Sequence, residues 1–239
     1  MKRPILLTGD SHLGALRRGA DLLPDAADRD RLVFWPLGRG GALRQAVHAH
    51  DAAAQTVTTL APAWRNRVFS PQTLRAIGDG VRLAVSLPLN TSRILREYGW
   101  TTHAPWRLAV GEFPVSDRVL DAMIDSDSRH ALNLVRDLAQ VWPDVVVIEA
   151  PRFFARTALR DGLRPEVCAH VDAAYRARVG AALQAAGVAV VAQPAATIAA
   201  PGLTRAEFAH DDPKDDHHAN GAYGALALQD LLRATDSPA

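Results

Sequence analysis

The sequence predicts a doubly wound α/β fold, a flavodoxin-like three-layer sandwich around a central, mainly parallel five-stranded sheet. Short apolar runs suited to strands buried on both faces recur at 5–8, 32–35, 82–87, 144–149 and 188–192. Between most of them lie stretches with apolar residues at helical spacing, over 13–23, 119–142 and 165–186, and another covers 219–234. Length agrees: 239 residues, 48% hydrophobic and 22% charged, suffice for a substantial core and fall within the range of one large domain.

Each element has a local cause. The first run, Ile5-Leu6-Leu7-Thr8, breaks at Gly9-Asp10-Ser11, and a helix follows. The second ends in Pro36-Leu37-Gly38-Arg39-Gly40-Gly41, and the third in Pro88-Leu89-Asn90. Gly187 stops the long helix that precedes the fifth run. Residues 52–80, with Pro62, Trp64 and Pro71, and 99–118, with Trp100, Pro105, Trp106 and Pro114, break the rhythm. Both are expected to leave the sheet as an edge hairpin, a lid or an interface, their tryptophans serving as packing anchors. No repeat, low-complexity tract or long linker divides the chain, so 1–239 reads as one domain with insertions.

Composition narrows the function. Twenty-seven Lys and Arg against 26 Asp and Glu leave a formal charge of +1, which gives no electrostatic case for nucleic acid or an anionic membrane. The single cysteine, Cys168, excludes an intramolecular disulfide and reads as a small packed residue. Met1-Lys2-Arg3 and the apolar run after Pro4 are too short for an export signal. No stretch reaches the roughly 18 apolar residues of a membrane span, so a cytoplasmic protein is expected.

Two short segments carry the chemistry. Ser11 follows a strand and opens a helix, where free backbone N–H groups and the positive end of the dipole favour a developing oxyanion. The alternative is a helix cap, for which Asp and Ser are preferred residues. Far along the chain, Asp215 stands three residues before His218, a spacing that lets a carboxylate hold one imidazole nitrogen while the other acts as a base. His210, Asp211, Asp212, Asp216 and His217 crowd the same segment. A metal site is not expected there, because adjacent side chains such as His217 and His218 should point apart and no second His/Cys cluster exists. Asp216 and His217 read as exposed turn residues, with His217 a candidate for the pocket rim.

Gly-Asp-Ser after the first strand, together with Asp-x-x-His before the last helix, resembles the SGNH, or GDSL-like, hydrolases. The sequence after the histidine, His-Ala-Asn…Tyr-Gly, is similar to theirs as well. The resemblance implies a Ser11–His218–Asp215 triad, with the Ser11 N–H contributing to an oxyanion hole. Family members complete that hole with a glycine N–H after the second strand and an asparagine after the third. Gly38, Gly40 and Gly41 are the candidate glycines here, and a phosphate loop is the alternative reading of that run. Asn90 takes the asparagine position, although Pro88 replaces the usual glycine; its other reading is a cap on the following helix. His12 stands where Leu or Ile is usual. It is a candidate to touch substrate or Asp10, against a plain solvent-facing residue, and Asp10 and His217 complete the candidate substrate contacts. The expectation is a serine esterase acting through an acyl-enzyme on a small-molecule or glycan ester, without cofactor or metal. An acyltransferase with the same triad, or a catalytically weak binding protein, are the alternatives, and the oligomeric state is open.

Overall fold

The computed structural model describes residues 2–236. Five strands form the central sheet: β1 (Ile5–Gly9), β2 (Leu32–Pro36), β3 (Arg82–Ser86), β4 (Val145–Ile148) and β5 (Ala189–Val191). All pairings are parallel, in the order β5-β4-β3-β1-β2. All five expected runs become strands, with ends shifted by a residue or so. Asp144 and Glu149 flank β4 and still make backbone bonds to its neighbours, from the Leu83 N–H and to the Val191 carbonyl. Asp144 receives Arg3 and Arg82, and Glu149 accepts the N–H of Gln193 and pairs with Arg176.

Alternation along the strands builds two cores. Ile5, Leu7, Ala84, Val146 and Ile148 pack on one face with α1 (Leu13–Ala20) and α4 (Gly221–Asp236). Leu6, Leu83, Val85 and Val147 face the other way, toward α2 (Asp117–Val141) and α3 (Pro165–Ala185). The doubly wound, three-layer reading is therefore the observed one. Helix α1 is shorter than the expected 13–23, since Leu22 and Leu23 fold into turns on Gly19 and Ala20, and Pro24 disfavours helical geometry at Leu23. Cys168 is fully buried in α3, where burial pushes its thiol up to about 12.

Two glycines let α1 and α4 touch backbone to backbone. A Cβ on Gly19 would lie 2.2 Å from the Ala225 nitrogen, and one on Gly224 would lie 1.9 Å from the Ala15 oxygen. A third glycine shapes the end of β1. Gly9 has φ +145°, and a Cβ there would meet Ser86 at 2.9 Å, so the strand crosses its neighbour closely just before Asp10-Ser11.

The first irregular segment is not an edge hairpin of the central sheet. It begins earlier, at His48, and forms a separate three-stranded antiparallel sheet from His48–Asp51, Thr56–Thr59 and Val68–Phe69. The sheet docks on α2, where Asp137 receives His48 Nε2 at 2.7 Å and His50 Nδ1 at 3.3 Å. In the second, His103–Pro105 and Phe113–Val115 pair in parallel. Trp64 and Trp100 are packing anchors as expected, but Trp106 is 51% exposed, its ring covered by Arg107 instead of apolar neighbours. Among the described residues, no helix is long and apolar enough to cross a membrane.

Candidate active site

The carboxyl ends of β1 and β3 and the loop before α4 surround one cavity of about 510 Å³. Ser11, Asp10, His12, Gly40, Gly41, Asn90, His217 and His218 all line it. Ser11 is exposed there, and its hydroxyl does not cap α1. The N-cap is His12, without a side-chain cap bond, and Asp10 Oδ1 accepts the His12 N–H at 3.0 Å in the turn ahead of the helix. The cap reading of Ser11 does not hold.

The loop carrying His218 is pinned at both ends: the His210 N–H donates to the His218 carbonyl, and the Asn220 N–H donates to the Phe208 carbonyl. Within it, Asp215 folds back on His218. Its Oδ1 accepts the His218 N–H at 3.1 Å, and its two oxygens lie 2.9 and 2.8 Å from His218 Nδ1. Burial works against the charge on Asp215, yet the bonds from His218 hold its carboxyl below the usual range. Burial and the neighbouring His217 lower the pKa of His218, with Asp215 pulling the other way, so the ring favours its neutral form. With Nδ1 bonded to a carboxylate, that form carries its proton on Nδ1. His218 Nε2 is then an acceptor; it is buried and has no hydrogen-bond partner among the described residues.

Asn90 Oδ1 accepts the Ser92 N–H at 3.0 Å, a turn bond just ahead of the short helix Ser92–Glu97, whose N-cap is Thr91. Its amide nitrogen faces away from that helix start. That nitrogen lies 2.6 Å from His12 Nε2. His12 is not solvent-facing as the plain reading would have it, being only 3% exposed. Burial, followed by His218 and His217, drives its pKa well below the ordinary value, so Nε2 is an acceptor for Asn90.

The three candidate glycines separate. Gly38 bridges to Trp64, and a Cβ on it would lie 2.5 Å from the Trp64 ring, so it belongs to packing and not to the cavity wall. Gly40 and Gly41 do line the cavity. A Cβ on Gly40 would stand 2.8 Å from Asp10 Oδ2, whereas Gly41 faces open space.

Asp10 is buried, and burial raises its carboxyl to about 6 from 3.8, against the opposing bonds from His12 and Asn90. The folded protein therefore binds more protons than the unfolded chain between these values, and stability falls as pH rises through that window. A shift of this size corresponds to about 3 kcal/mol. Asp10→Asn keeps the acceptor for His12 and removes the buried charge. It is expected to raise the melting temperature at pH 7 and to flatten the dependence between pH 4 and 6; an unchanged pH profile would assign the window to another group.

Two expectations for the histidine loop are corrected. Asp216 is no exposed turn residue: Arg96 and Arg160 grip its two oxygens at 2.7 and 2.6 Å, and Thr157 donates to its carbonyl. Burial opposes the charge, but these arginines hold the carboxyl far below its usual range. His217 is also half-buried, and its ring lies 3.9 Å from that of His218 instead of pointing away. A strand or helix separates neighbouring side chains; here an irregular loop turns both rings toward Asp215.

Residues not singled out in the sequence complete the walls. Arg93 Nε reaches Asp127 Oδ1 at 2.5 Å, and the Tyr175 hydroxyl donates to the same carboxylate. Beneath the Asn90 loop, fully buried Asp172 accepts from Thr91 Oγ1 at 2.6 Å, Arg152 at 2.7 Å and Arg176 at 2.8 Å. The available signal was charge on an apolar helical face: Asp127 between Ile124 and Ala131, and Asp172 four residues before Arg176.

No family model matches the chain, and no curated protein does. Among solved structures, the chain is similar to an extracellular lipase from Streptomyces rimosus, with 16% identity over 97% of this chain and 99% of that one, at a TM-score of 0.46. It is also similar to phospholipase A1 from Streptomyces albidoflavus NA297, with 12% identity over 98% of this chain and 100% of that one, at a TM-score of 0.43.

Proposed function

We propose that the protein is an SGNH-type serine esterase. The observation that carries this reading is the His218 ring: Nδ1 is tied to Asp215, while Nε2 is an acceptor without a partner among the described residues, in the cavity that Ser11 lines. In the proposed reaction Nε2 takes the Ser11 proton as Oγ attacks an ester carbonyl. The oxyanion is received by the N–H of Ser11, a backbone N–H of Gly40 or Gly41, and the Asn90 amide. His218 then protonates the departing alcohol, and water, activated by the same ring, releases the acid. Asp215 stays ionised and keeps the imidazole in its working tautomer. The substrate is a carboxylic ester of a small molecule or glycan, and the reaction needs no cofactor.

A fluorophosphonate probe is expected to label the protein once, on Ser11, as located by peptide mass spectrometry; absence of labelling, or a label elsewhere, would sink the reading. The labelling rate should rise with pH through a midpoint below 6.5, because only the neutral ring accepts a proton and burial favours that form. Asn90→Ala is expected to lower kcat by about 10²–10³ with little change in KM, the usual effect of losing one oxyanion donor. Wild-type kcat in that variant would remove Asn90 from the hole.

A further inference from the structure

We propose that Asp215, His217 and His218 form a binding site for a zinc-class divalent cation, and that occupying it switches the base off. The site is a product of the loop and was not legible in the sequence. Each of the three residues offers a ligand atom, and all of these atoms lie within 4.8 Å of one another. Nδ1 of His218 is 2.8 Å from Asp215 Oδ2, and Nδ1 of His217 is 3.7 Å from Oδ1. Zinc bonds of about 2.0–2.2 Å put tetrahedral ligand atoms about 3.4 Å apart, so small side-chain rotations close the site.

Its chemistry selects the ion. Two imidazoles and one carboxylate suit zinc and its borderline-soft neighbours, whereas calcium and magnesium prefer oxygen-only shells. Side-chain exposures of 34% for His217 and 23% for Asp215 give the cation an entry path and leave a position for water. His217 has to release Asp216, 3.0 Å from its Nδ1, but that carboxylate remains paired with Arg96 and Arg160.

Inhibition follows from tautomer arithmetic. A neutral imidazole has one N–H and one lone pair. When the lone pair at Nδ1 of His218 goes to the metal, the proton moves to Nε2, with no net proton gained or lost by the ring. Nε2 then donates and cannot accept from Ser11. Asp215, now a metal ligand, no longer holds the working tautomer. The inhibitory half rests on the role proposed for His218; the binding half does not.

Calorimetric titration of the full chain with zinc chloride separates the two. One zinc per chain is expected, with no comparable heat from magnesium or calcium, and at least tenfold weaker binding in both His217→Ala and His217→Asn. Circular dichroism would verify that the variants are folded. Wild-type affinity in those variants, or equal binding of magnesium, overturns the site. Fluorophosphonate labelling of Ser11 should decline in step with zinc occupancy and return with EDTA. Undiminished labelling of zinc-saturated protein overturns the switch. A zinc-free protein that never labels would instead count against the esterase reading, with the titration still deciding the site.

Discussion

Ser11→Ala is expected to lower kcat for small activated esters by about 10⁴–10⁶-fold, and His218→Ala by nearly as much. Both effects come from one event, the transfer of the Ser11 proton to Nε2 as the nucleophile attacks. Removing either partner leaves the other with no function in that step, so the double variant should be scarcely worse than either single one. Residual turnover would come from oxyanion donors acting on a water attack. Asp215→Asn should cost less, because the ring stays in place while its preferred tautomer is lost. Steady-state kinetics on all four variants decide the matter. A Ser11→Ala enzyme within tenfold of wild type would exclude the proposed nucleophile, and additive losses in the double variant would mean that Ser11 and His218 act independently.

The largest stability effect is expected at Asp172. Its carboxylate is fully buried and receives a hydroxyl and two guanidinium groups, from Thr91, Arg152 and Arg176. Asp172→Ala leaves Arg176 buried with Glu149 as its one remaining carboxylate partner among the described residues. Breaking a buried pair from one side costs about 3–5 kcal/mol. For a chain of this length that is roughly a 6–20 °C fall in melting temperature. Calorimetry gives the answer, and a fall under 2 °C would mean that the network contributes little to folding. The same substitution frees Thr91, which follows Asn90, so kcat should fall in whatever protein remains folded.

The fold was legible because its signals are local and repeated. Five apolar runs alternate with helical patterns, and each strand's two faces find opposite layers. The proposed nucleophile and base were legible for a similar reason, since Gly9-Asp10-Ser11 sits in one turn and Asp215 and His218 are three residues apart. What was not legible depends on contacts distant in sequence or on loop conformation. Gly38, Gly40 and Gly41 differ only through the Trp64 ring and the Asp10 carboxylate beside them. His12 is buried because Asn90, 78 positions away, meets its ring. His217 faces His218 because the loop turns it there, and Trp106 stays half exposed with Arg107, its sequence neighbour, lying over its ring.

Ser11 leads directly into α1 and His218 leads almost directly into α4. Those helices meet where Gly19 and Gly224 allow main chain to rest on main chain. The two proposed reacting groups are therefore indexed to each other through a rigid joint on one side of the sheet, and Arg96, Thr157 and Arg160 together fix the His218 loop at Asp216. The alignment of the proposed nucleophile and base thus rests on the helix joint together with the contacts that hold the His218 loop. Widening that joint by a single methyl group would disturb turnover through misalignment, even in a molecule whose cavity wall was left untouched.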